Sequence, residues 1–364
     1  MMGDSMPEVT VLLPVYNSRK HLREAIESVI HQTFTDWEML IINEYGSDDG
    51  SLEIIKEYLD TDNRVCLIQN ETKLGLAESL NKGMNLARGE YIARMDADDL
   101  AHPDRLVKQV KYMQDHPLVS VCGTYQHHFG VSANWIHKPP ITPQQCKTNL
   151  IFFCDLCHST LMLRKGWFIQ NNLYYDNSYY AEDFELWTRV IKNGEIANIP
   201  EVLGEYRWGE DNISIEKKQY LQEESGKIVA KVLKDTLGLT IPDSYTWYFN
   251  NWSNPFYDIS DQGERTKAYQ EFQDLLKKIY HVNQEKHFFD EQSLLNTIGA
   301  KWKWARYGYP FNRIITEKSI ESIFQYKPRQ AILTRFYYFW VRNKGVRAKW
   351  SKICGKMSSR LLKK

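Results

Sequence analysis

The chain has 364 residues, with 46 basic and 46 acidic side chains, no formal net charge, and 43% hydrophobic, 13% aromatic and 25% charged residues. That composition excludes a disordered or low-complexity chain, and the longest apolar runs, such as Phe336 to Val341, fall well short of the ~18 residues of a membrane span. The length predicts two domains or one large α/β domain with an appendage, and six cysteines in so long a chain do not make a disulfide framework. Met1 to Pro7 lacks the basic start and apolar run of a secretion signal, so a cytoplasmic location is expected.

Val9 to Val15 reads as a buried strand, followed by Lys20 to His31 with Leu22, Ala25, Ile26, Val29 and Ile30 at helical spacing. The pairing repeats: strand Met39 to Ile42 with helix Ser51 to Leu59, strand Val65 to Gln69 with helix Leu76 to Ala87, strand Glu90 to Met95 with helix Pro103 to Gln114. Strand-helix units in succession predict a mostly parallel sheet covered by helices, with ligands at the carboxyl ends of the strands. Further on, strands are expected at Leu118 to Tyr125, Thr160 to Leu163 and Val202 to Tyr206, and a helix at Asp183 to Lys192. Beyond about residue 215 the pattern turns helical and aromatic, which sets expected domains at 1–214 and 215–364.

The strand ends carry the chemistry. Tyr16 can stack on a base, and the turn Asn43 to Ser51 offers carboxylates to a base or ribose. Asp96-Ala97-Asp98-Asp99 puts three carboxylates within four residues. Like charges so close destabilise one another unless a cation neutralises them, which points to a divalent metal such as Mg²⁺ or Mn²⁺ held by oxygen ligands and a substrate phosphate. The plainer alternative is a solvated acidic loop in which Asp99 or Asp104 caps the next helix. Glu182-Asp183 has the same ambiguity: acids before a helical run cap it, or do acid-base work.

Taken in order, these features resemble the family 2 glycosyltransferases over roughly Glu8 to Ser214. The matching residues are Pro14-Val15-Tyr16-Asn17, Gly46 to Ser51, Asn70 with Gly75 and Asn81, Ala87 to Ile92 leading into Asp96 to Asp99, His158-Ser159-Thr160, Glu182-Asp183 with Leu186-Trp187, Tyr206-Arg207, and Asn212-Ile213-Ser214. The resemblance implies a GT-A fold (α/β, Rossmann-like, mostly parallel sheet) with a helical C-terminal extension, and inverting transfer from a nucleotide sugar, a UDP-sugar first among them. It implies Asp98, with Asp96, on Mn²⁺ or Mg²⁺, and Asp183 as the general base. Glu182 and His158 would lie on the acceptor side, and Pro14, Tyr16, Glu44, Asn70, Lys73, Asn81, Asp96 and Ala97 around the nucleotide sugar. The implied acceptor is a glycan or lipid-linked hydroxyl in surface-polysaccharide synthesis. A different class of function is a non-catalytic nucleotide-sugar-binding adaptor.

Three positions depart from the family pattern. Glu44-Tyr45 stands where two aspartates are usual, Leu80 where a basic residue commonly precedes Asn81, and Gly209 where a histidine often follows Tyr-Arg-Trp. Any phosphate contact is then expected from Lys73 or Lys82. Cys154-Asp155-Leu156-Cys157-His158 has the C-x-x-C-H spacing of haem attachment, but that requires export, and free thiols are the expected reading.

Neutrality conceals an uneven distribution. Residues 301–364 hold 17 Lys or Arg against two acids, Glu317 and Glu321, and the last 34 residues have no acid. With Phe336, Phe339, Trp340, Trp350 and Ile353 towards one side, residues 330–364 read as a basic amphipathic segment suited to an anionic membrane surface. Either this segment puts the protein peripherally on the inner face of the cell membrane, or its apolar face packs on the catalytic domain with its lysines solvated; no nucleic-acid partner is expected, since no recognisable module is present.

Overall fold

The computed structural model describes residues 6–130, 133–209, 217–249 and 254–307. Four strands and the helices that follow them form the first half: β1 Val9–Val15, α1 Arg19–Ile30, β2 Trp37–Asn43, α2 Ser51–Leu59, β3 Val65–Gln69, α3 Leu76–Leu86, β4 Tyr91–Arg94 and, after the two-residue β5 Leu100–Ala101, α4 Arg105–Asp115. Their apolar runs explain them. Every residue of β2 is buried, as a parallel strand covered on both faces requires. The amphipathic face of α1 buries the same Leu22, Ala25, Ile26 and Val29 that carry its helical spacing.

The second half contains β6 Val119–Gly130, β7 Ala133–His137, α5 Pro143–Asn149, a 3₁₀ turn His158–Thr160, β8 Met162–Arg164, α6 Lys165–Gln170, α7 Glu182–Val190, β9 Glu195–Trp208 and α8 Lys218–Leu237. All the described strands join one sheet in the order β3-β2-β1-β4-β8-β6-β9-β5, with β7 on β6. The pairs β1–β2, β2–β3, β1–β4 and β6–β9 are parallel, whereas β8 runs antiparallel to β4 and β6. The expected strand at Val202 to Tyr206 is the end of the longer β9. Pro200 interrupts the sequence pattern, and the sheet absorbs it as a bulge: Thr124 pairs with Ile199 and Tyr125 with Val202. The expected strand at Thr160 to Leu163 begins as the 3₁₀ turn and becomes β8 only at Met162.

The core packs β1, β2 and β4 against α1, α2 and α4 through Val11, Leu13, Leu22, Ile26, Met39, Ile41, Ile55, Ala93, Leu106 and Met113. Gly89 closes the turn into β4 so tightly that a Cβ there would meet the Thr10 nitrogen at 2.4 Å. The chain divides into two compact units: the first takes in the described residues up to Phe249 with Phe288–Asp290, the second those of 254–287 and 291–307. The first unit therefore includes α8. The second holds a 3₁₀ turn Pro255–Tyr257, α9 Gln262–Lys286 and α10 Glu291–Tyr307, packed through Phe256 stacked on Tyr269 at 4.6 Å and beside Phe272 at 5.3 Å. Among the described residues no helix is long and apolar enough to cross a membrane. The basic segment 330–364 lies outside the described residues.

Candidate active site

The chain runs from β1 outward through β2 to β3, then returns to place β4 on the other side of β1. Such a switch point opens a crevice at the carboxyl ends of the two central strands. Pro14 and Tyr16 lie at the end of β1, and Asp96 to Asp99 follow β4. The Tyr16 ring is 48% exposed, with the exposed Lys73 ammonium 5.2 Å from its centroid. Tyr45, after β2, is 56% exposed.

Glu44 is buried and its carboxylate is fully engaged by the protein. It accepts from the backbone N–H groups of Gly75 (2.6 Å), Tyr45 (2.7 Å) and Leu74 (3.1 and 3.2 Å), and from the Asn70 amide and Ser79 hydroxyl, each at 3.3 Å. Burial pushes its pKa up, but the N–H donors of Leu74, Tyr45 and Gly75 outweigh it and hold the carboxyl below its usual range. Gly75, at φ +83°, supplies the left-handed backbone that aims its N–H at this carboxylate. Asn70 also donates to Ser79 at 2.8 Å, and Lys82 donates to Asn70 at 3.0 Å. Asn81 is buried too: its amide donates to the Tyr175 carbonyl and its oxygen accepts from the Tyr175 N–H, both at 2.8 Å. Leu80 faces the core and is fully buried. Thus Glu44, Asn70, Asn81 and Lys82 organise the β3–α3 loop and the Tyr175 segment, while Tyr16 and Lys73 remain at the surface.

The three aspartates after β4 have different fates. Asp99 turns inward, 2% exposed, and accepts from the Arg207 backbone N–H at 3.0 Å. The Arg207 guanidinium donates from Nε to the Asp98 carbonyl at 3.0 Å, so β9 fixes the loop from behind. Asp96 pairs with the buried Arg94 guanidinium. Among the described residues no other residue hydrogen-bonds the Asp98 carboxylate, and burial with the nearby Asp96 charge raises it to about 6 against the opposing pull of its own backbone N–H. Asp99 is raised well above the ordinary range by burial, then by Asp96 and Asp98. Asp104 is the cap residue of α4 by position, with its carbonyl accepting from the Lys108 N–H at 3.1 Å, but its side chain makes no capping hydrogen bond, and Asp99 lies upstream.

Among the described residues no group of three His, Cys, Asp or Glu side chains is arranged to hold a metal. The donor set on offer is the free Asp98 carboxylate with Asp96 beside it. Two carboxylates, completed by phosphate oxygens and water, suit Mg²⁺ or Mn²⁺, which rarely take an all-protein cage.

A second acid group begins α7. Ala181 is the cap residue by position, and Glu182 and Asp183 sit in the first turn, where the Asp183 side chain itself takes one first-turn N–H. Burial, then the Asp183 charge, raises Glu182 to about 8, and burial raises Asp183 as well. Arg94 lowers and Asp96 raises both groups, which places the two acid clusters within electrostatic reach of one another. The Asp183 Oδ1 accepts from the Phe184 N–H at 2.6 Å, and the Cys154 thiol lies 4.0 Å from Oδ2. His158 is hydrogen-bonded through Nε2 to the Tyr175 hydroxyl at 2.9 Å, and burial, then Arg94, lowers its pKa far enough to keep it neutral. Cys154 and Cys157 are free thiols, pushed well up by burial.

Sequence reasoning did not single out Arg94 or Tyr175, and it read Cys154 only within a C-x-x-C-H spacing, without its place beside Asp183. Arg94 carried a signal: a lone cation ending the apolar Tyr91-Ile92-Ala93 and two residues before Asp96, hence on the same face of an extended chain. Tyr175 and the Cys154–Asp183 contact carried none, because they depend on residues distant in sequence.

A crevice at the switch point, with an acidic loop after β4 and half-buried acids at the start of α7 within its electrostatic reach, fits an α/β enzyme with the GT-A fold. The family model described as glycosyl transferase family 2 matches residues 10–174. An uncharacterized glycosyltransferase of Haemophilus influenzae is 32% identical over 215 residues, covering 56% of this chain and 66% of that protein, just under two thirds of its length. The putative teichuronic acid biosynthesis glycosyltransferase TuaG of Bacillus subtilis is 30% identical over 227 residues, covering 59% of this chain and 85% of TuaG. The crystal structure of S. aureus TarS 1-349 in complex with UDP-GlcNAc shares the fold at a TM-score of 0.56 and 16% identity, over 88% of this chain and 93% of that one. The chain belongs to glycosyltransferase family 2.

Proposed function

We propose that the protein is a metal-dependent inverting glycosyltransferase that moves a sugar from a nucleoside-diphosphate donor, a UDP-sugar, to a hydroxyl of a glycan or lipid-linked acceptor in surface-polysaccharide synthesis. The observation that carries this reading is the half-buried Asp98 carboxylate, which no other described residue engages, together with the half-buried Glu182–Asp183 pair, whose carboxyls feel the charge of the neighbouring Asp96. The bound UDP-GlcNAc of TarS and the polysaccharide in the TuaG name support the donor and the pathway class.

On this reading Tyr16 and Lys73 face the nucleotide, with Pro14 and Ala97 bordering the crevice, and Asp98 with Asp96 would hold Mn²⁺ or Mg²⁺. When bound, the cation neutralises the diphosphate leaving group. Arg94 fixes Asp96, and Arg207 fixes the loop that presents Asp98. Asp183 accepts the acceptor hydroxyl proton as the nucleophile advances on the anomeric carbon from the face opposite the diphosphate, which gives inversion. His158 and Glu182 border the acceptor. Glu44, Asn70 and Asn81 support the donor loop through their protein contacts.

The test is a screen of nucleotide sugars for metal-dependent nucleoside diphosphate release with acceptor, alongside Asp98→Asn and Asp183→Asn. Unchanged turnover in both variants overturns the mechanism. Liposome co-sedimentation of the full chain against a chain ending near residue 330 tests attachment through the basic segment, and equal binding removes that part of the proposal.

A further inference from the structure

The acids of α7 are held in place by a helix that follows them by some forty residues. Tyr180 and the cap residue Ala181 precede the hydrogen-bond ladder of α7, so their N–H groups need an acceptor from elsewhere. Glu224 of α8 provides it: its Oε2 accepts from the Tyr180 N–H at 2.8 Å and from the Ala181 N–H at 2.9 Å. The same face of α8 makes three further links. The Tyr220 ring packs on Tyr180 at 5.3 Å, Lys231 donates to the buried Glu185 at 3.0 Å, and Asp235 pairs with Lys192 at 2.6 Å. Residues 220, 224, 231 and 235 recur at spacings of four, seven and four, one stripe of a helix. Glu185 extends the network through both carboxylate oxygens to Arg189, whose guanidinium reaches the Tyr174 carbonyl next to Tyr175.

From this geometry we infer that Glu224 is a positioning residue for the general base: by fixing the backbone at Tyr180 and Ala181 it sets where Asp183 stands in the site. Glu224 touches no substrate and acts only through α7. The inference rests on the assignment of Asp183 as base. It also places a residue beyond the matched segment 10–174 in control of the acceptor side.

The experiment compares Asp183→Asn, Glu224→Ala, Glu224→Gln and Lys231→Ala in the full chain, reading steady-state UDP release, donor KM and Tm. Lys231→Ala removes a different contact of the same helix pair, the one to Glu185, and controls for general destabilisation. Misplacing the base predicts a kcat reduced about 10- to 100-fold in Glu224→Ala with donor KM unchanged within about twofold. Glu224→Gln, which keeps an acceptor oxygen for the two N–H groups, should recover kcat to within about threefold of the parent, and Lys231→Ala should keep it there. An inactive Asp183→Asn with unchanged kcat in Glu224→Ala overturns the positioning role alone. Equal kcat losses in Glu224→Ala and Lys231→Ala, tracking Tm, overturn it as well. Full turnover in Asp183→Asn overturns the base assignment and the role of Glu224 with it.

Discussion

The two acid clusters of the site are built by opposite means. The aspartates after β4 stand on a loop braced by two arginines, Arg94 on the Asp96 side chain and Arg207 on the Asp98 carbonyl and Asp99. Glu182 and Asp183 form no ion pair among the described residues, and lie in the first turn of a helix whose entry is held by Glu224. The first cluster therefore combines nearby cations with one open carboxylate, which suits the proposed divalent metal. The second combines burial with like charge, which raises carboxyl pKa values and favours proton exchange near neutrality.

The strongest way to break this contrast is to exchange the charge in each cluster. Asp183→Asn should lower kcat about 10²- to 10⁴-fold with Mn²⁺-dependent UDP binding unchanged, whereas Asp98→Asn should weaken that binding at least about tenfold. Calorimetric titration of UDP with Mn²⁺ against both variants checks the division, and equal losses of binding erase it. Next in size, Arg94→Met should destabilise the fold by about 2 kcal/mol in urea melts, less than a fully buried pair, because Asp96 keeps part of its surface in water.

A third expectation concerns pH. Glu182, raised to about 8, and Asp98, raised to about 6, bind more protons folded than unfolded. Their stabilising contribution is complete below the unfolded carboxyl values near 4 and is lost as pH climbs through the folded ones. The Tm of ligand-free protein should fall between pH 6 and pH 8.5, and a flat profile contradicts it. Activity should move the other way: a base must be ionised, so the acid limb of kcat/KM should lie above the range of an exposed carboxylate. The smallest effect is expected away from both clusters, where Glu44→Gln should cost about 1 kcal/mol by removing one charged acceptor from the Leu74–Gly75 turn.

The parallel half of the fold was legible because its strands are continuous apolar runs and its helices amphipathic. The sequence placed α2 at Ser51 to Leu59, the bounds the structure has. β9 was legible only at its end, since Pro200 is an obstacle in one strand and a bulge residue in a paired sheet. In the site, Asp96, Asp98 and Asp183 stood out as clustered charge. What the sequence withheld was the identity of partners. Glu44 reads as a free acceptor until the turn at Gly75 folds back on it, and Asn81 reads as a ligand contact until the Tyr175 backbone meets it. Glu224, one of two adjacent glutamates on α8, carries no local mark at all.

The hydrogen bonds from Tyr180 and Ala181 to Glu224 also impose an order on biosynthesis. At about 5–20 residues per second, the ribosome needs several seconds to advance from Ala181 to Glu224 and longer to release α8 from its tunnel. Every described strand has been synthesised by then, so in the nascent chain the whole sheet precedes the contact that anchors the entry of α7.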